Sequence, residues 1–124
     1  APNVVRGGSH NGALDATTAV RDGLCSVLAS DYHYPSPLHA AFRLASPDDA
    51  GFAKVWHLVS ANAAAAAGLS DRGRLEEGKR ADLILVDAKD MRHPKVMATF
   101  VGGRLVYSAQ TLIETERAIA SAAA

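Results

Sequence analysis

The sequence predicts an α/β fold: β/α units in the first half, then a small β element, then a C-terminal helix. Three observations carry this. An apolar run at residues 24–29 follows a helix-forming stretch, which itself follows a glycine-rich loop. An aliphatic run at residues 83–86 leads into strand signals joined by Gly102-Gly103. Alanine-rich stretches with helical spacing lie between these features and after them. The expected divisions are residues 1–68 for the β/α part, 69–108 for the β part and 109–124 for the helical tail.

Taken in order, Asn3, Val4 and Val5 read as the end of a strand, because residues 6–12 form a turn-rich loop punctuated by Gly7, Gly8 and Gly12. Residues 13–22 read as a short helix, with Asp15 near its start and Gly23 as its stop. The strand expected at residues 24–29 then completes a βαβ unit with a right-handed crossover. Pro35 and Pro37 end that strand, since proline lacks the ladder donor and restricts the residue before it. Residues 38–45 form a helix that opens near Pro37. Asp48-Asp49 opens another, in which Phe52, Val55, Trp56 and Val59 mark one buried face. The alanines of residues 63–67 continue this helix to Gly68. Residues 70–80 are a polar connection, and strands are expected at 81–87, 96–101 and 104–107, the last two forming a hairpin about Gly102-Gly103. Residues 111–124 close the chain as a helix with few large apolar positions, Leu112, Ile113 and Ile119.

The 124 residues suffice for one sizeable core and not for two large domains. Thirteen basic and thirteen acidic residues cancel without long runs of either sign, so no nucleic-acid or membrane partner is expected. No apolar segment reaches the length of about 18 residues that would suggest a membrane span. The single Cys25 has no internal disulfide partner and reads as a small core residue, which fits a reducing, cytoplasmic setting. With Ala1-Pro2-Asn3 leading straight into apolar residues, the expectation is that earlier chain precedes Ala1 in the natural protein.

The candidate site centres on Asp31. The apolar run stops at Ser30-Asp31, and a carboxylate at the C-terminal end of a strand in a β/α unit can bind metal or move protons. The same topology places the loop of residues 6–12 on that rim, where Arg6, Ser9 and His10 beside adjacent glycines can meet an anion. The plain alternative is an ordinary tight connection with exposed polar side chains. His33 and His39 flank Asp31 in sequence but read as surface or satisfied residues. His57 and His93 read as structural or exposed, and Tyr32 and Tyr34 as lining the mouth of the site or shielding it. The sequence holds no Walker loop, dinucleotide fingerprint, Cys-based zinc pattern or nucleophile elbow.

Three stretches carry a family resemblance: Asn3-Val4-Val5-Arg6-Gly7-Gly8-Ser9-His10, then Ser30-Asp31-Tyr32, then Gly78-Lys79-Arg80-Ala81-Asp82-Leu83. Together they resemble the C-terminal third of the amidohydrolase superfamily. The first stretch, with Ser30-Asp31-Tyr32 and the later His39-Ala40-Ala41-Phe42-Arg43-Leu44, is similar to the branch that hydrolyses ribose 1-methylphosphonate 5-triphosphate in phosphonate metabolism. The resemblance implies the last β/α units of a TIM-like barrel, followed by part of a composite β-sandwich and a C-terminal helix. It implies Asp31 as metal ligand and proton acceptor, Arg6, Ser9 and His10 as substrate-binding residues, a divalent metal, with zinc the metal named, and a small phosphorylated substrate. It also implies an upstream His-x-His pair, a bridging group and further histidines, none of which the 124 residues supply. A homo-oligomer is the expected assembly.

Two other readings remain open. One keeps the superfamily and changes the substrate to a cyclic amide or N-acyl compound; the other is a non-catalytic α/β module that self-associates through strand edges. A full barrel needs about 250 residues. The 124-residue chain is therefore expected to be inactive alone, and metal-dependent pyrophosphate release by the purified chain would refute this.

Overall fold

Helices fill the described first half of the chain, and the first of them is capped at both ends by residues suited to the task. The computed structural model describes residues 4–5, 15–30, 32–45 and 49–109. Helix α1 is Ala16–Arg21, and its first free amides meet Asp15, whose Oδ2 accepts from Thr18 N and Thr18 Oγ1, each at 3.1 Å. It stops at Gly23, φ 72°, where Leu24 N donates to Ala19 O and Gly23 N to Val20 O. This double bond pattern needs the left-handed residue that glycine supplies most easily. The expected cap and stop are thus both in place.

Helix α2, Ser36–Leu44, carries proline in its first turn, and α3, Asp49–His57, packs against it. Ala40 and Ala41 are fully buried in the core of this half, with Val4, Leu28, Val55 and Leu58. Small residues there let backbones approach closely. Beside them Phe42, Phe52 and Trp56 form an aromatic group, with Phe42 edge-on to Phe52 at 5.1 Å between ring centres. Phe52, Val55 and Trp56 all take part in this packing, as their spacing requires.

Helix α3 does not run on into the alanines. It ends at His57, turns through residues 58–60, and a separate α4, Ala61–Ala66, follows. Ser60 Oγ donates to Trp56 O at 2.8 Å and so takes up a carbonyl at the helix end. Gly68, φ 71°, then closes α4 in the manner of Gly23.

Two expected strands are absent among the described residues. Val4 and Val5 have helical backbone, and residues 24–30 form no ladder. A parallel strand needs neighbouring strands on which to pair. Among the described residues none lies beside it, and helix ends take over its polar groups: Leu28 N donates to Leu58 O at 2.9 Å, and Asn62 Nδ2 to Ser26 O at 2.9 Å. Leu28 is buried while Leu24 is exposed, so the run is only partly core.

The second half holds an antiparallel sheet in the order β1-β2-β3, comprising Leu83–Asp87, Lys95–Val101 and Arg104–Ser108. Gly102 and Gly103 both have positive φ, 56° and 78°, as a two-residue hairpin turn of matching twist requires. At the centre of β2, Ala98 is fully buried, but Leu105, Val106 and Tyr107 on β3 are more than half exposed. Residues 110–124, where the terminal helix was expected, lie outside the described residues.

The polar connection between the halves is tied to α4 at Gly73. A Cβ there would stand 2.7 Å from Ala64 Cβ and 3.2 Å from Ser60 O, at φ +91°. Gly73→Ala is expected to destabilise the protein by roughly 1–3 kcal/mol, from backbone strain and the clash together. Urea unfolding measures this, and an unchanged midpoint would show that the connection does not press on α4.

Candidate functional site

The predicted site residues Arg6, Ser9, His10 and Asp31 lie outside the described residues; the segments leading to them do not. Val4, two residues before Arg6, and Leu28, three before Asp31, are buried in one core cluster with Ala40, Ala41, Val55 and Leu58. Val5 O accepts from Arg43 Nη1 of α2 at 2.9 Å. Both approaches to the candidate site are therefore anchored in the same packing layer.

After residue 31 the chain is held by short-range hydrogen bonds. Ser30 Oγ donates to His33 O at 2.9 Å, and His33 Nδ1 lies 2.6 Å from Ser36 Oγ. Ser36 is fully buried, the single buried polar residue among those described. Its serine-before-proline position gives no sign of this. Tyr32 and Tyr34 are 70% and 92% exposed, so neither is spent on the core.

The remaining histidines are scattered. His39 is half-buried within α2, and His57 is exposed at the end of α3. His93 Nδ1 meets Asp90 Oδ2 at 2.7 Å, and this bond, with that from Arg92 N, holds the Asp90 carboxyl below its ordinary range. Among the described residues no group of three or more His, Cys, Asp or Glu could hold a metal ion. The donor set present there does not fit a catalytic metal.

A groove of about 750 Å³ runs between the end of α3 and the sheet, lined in part by Trp56, Val59, Leu75, Leu83, Ile84 and Phe100. Its walls are chiefly apolar. It is formed by a different part of the chain from residues 28–36, and its polar lining includes His57, Ser60, Glu76 and Asp82.

The best-organised polar group is centred on Asp82. Its Oδ1 accepts from Gly102 N at 2.7 Å and Arg80 Nε at 2.8 Å, and its Oδ2 from Arg72 Nη1 at 3.2 Å. Arg72 also forks onto Asp71, through Nε at 2.8 Å and Nη2 at 2.9 Å. The Gly102 amide is the foremost reason that the Asp82 carboxyl lies below its ordinary range, with Arg80 and Arg72 adding to it. Every donor comes from the protein itself, so Asp82 is a fastening between the connection and the hairpin turn. The sequence signal for it was the Gly-Lys-Arg-Ala-Asp-Leu stretch, whose task could not be read without Gly102.

A family profile described as Amidohydrolase family matches residues 15–107. The chain belongs to the amidohydrolase family. Among curated proteins it is 48% identical, over 92 residues, to an alpha-D-ribose 1-methylphosphonate 5-triphosphate diphosphatase of Escherichia coli (strain K12). That match covers 73% of this chain and 24% of the relative. It is also 35% identical, over 82 residues, to an adenine deaminase of Methylobacterium nodulans, covering 66% of this chain and 14% of that relative. The matched part thus spans about a quarter or less of the length of these curated relatives. No solved structure gives a significant match.

The matched region includes Asp82 and both its fastened segments. Because the folded Asp82 carboxyl is the stronger acid, the unfolded chain takes up its proton first as pH falls. The stabilisation is complete above the unfolded value, about 3.9, and is lost as pH drops through the folded one. Asp82→Asn is expected to be less stable than the parent at pH 7 and to converge on it as the pH falls below the lowered value of the folded carboxyl. Urea unfolding across that range checks this, and a stability difference that stays constant would exclude the ionised carboxylate as the cause.

Proposed function

We propose that the natural protein is a metal-dependent hydrolase of phosphonate metabolism that cleaves α-D-ribose 1-methylphosphonate 5-triphosphate to the 5-phosphate and pyrophosphate. The 48% identity to the diphosphatase carries this reading. Residues 1–68 then belong to the end of a TIM-like β/α barrel, and 69–108 to a smaller β subdomain followed by a helical tail. Asp31 accepts the proton of the attacking water, and Arg6, Ser9 and His10 hold phosphate oxygens by charge and hydrogen bonding. The shared anchoring of Val4 and Leu28 supports a common location for these two groups.

A divalent metal, with zinc the first candidate, belongs to the reading as the group that makes bound water acidic. Asp31 is its one proposed ligand in residues 1–124, and the other ligands come from chain outside them. The isolated chain is accordingly inactive, and the whole enzyme is a cytoplasmic homo-oligomer acting on a small phosphorylated substrate.

The test is pyrophosphate release by the purified natural protein and its Asp31→Asn variant. Loss of a proton acceptor is expected to lower kcat by about 10²–10⁴-fold. A variant as fast as the parent would remove Asp31 from the reaction. The match to adenine deaminase favours one second reading, hydrolysis of a C–N bond in a cyclic substrate. Ammonia release from adenine, without pyrophosphate release from the triphosphate, would select it.

A further inference from the structure

We draw no further inference here: the strongest candidate, the chiefly apolar groove between the end of α3 and the three-stranded sheet, lined in part by Trp56, Leu83, Ile84 and Phe100, is an unpartnered apolar face, and nothing in the structure shows what covers it.

Discussion

One main-chain hydrogen bond, from Leu28 N to Leu58 O, determines how the first half of the molecule is put together. Both residues are buried in the same cluster, so the bond is shielded and its loss would strand polar groups away from water. It fixes an irregular stretch against the end of α3 without any strand ladder. Asn62, reaching Ser26 O from α4, holds the same stretch from another side. The turn after Ser30 inherits its starting point from these two attachments.

The second half is organised by a different kind of constraint. A meander of three short strands buries little on its own, and here Ala98 alone of its apolar residues is fully enclosed. Its attachment to the preceding connection is polar: one carboxylate, Asp82, gathers two guanidinium groups and the Gly102 amide. Such exposed or half-exposed pairs contribute modestly one at a time, but three donors converging on one carboxylate define a geometry. The hairpin turn and the connection are thereby held in register.

What could be read in the sequence was whatever depends on neighbours along the chain. Asp15 and Gly23 announce the ends of α1, Pro37 the start of α2, and Gly102-Gly103 the hairpin, because caps and turns are chosen by local backbone needs. The aromatic face of α3 was legible for the same reason. The run at residues 24–29 was misread because apolar β-like composition specifies burial, while a strand also requires a partner strand. The break at residues 58–60 is not legible in the sequence because it depends on Ser60 turning back to Trp56, which alanine-rich composition conceals. Of the candidate site, the sequence supplied residue types and a plausible shared rim. It could not show that Ser36 is buried against His33, since that depends on how α2 packs.

The Asp82 fastening bears on how members of this family are recognised. Gly-Lys-Arg-Ala-Asp-Leu is one of the three stretches that carry the resemblance, and its aspartate accepts from the protein's own Arg72, Arg80 and Gly102 donors. A likeness resting on that stretch therefore reports how a scaffold is closed and is blind to which bond an enzyme cuts. Information about the reaction must come from other stretches of the sequence, such as residues 6–10 and 31.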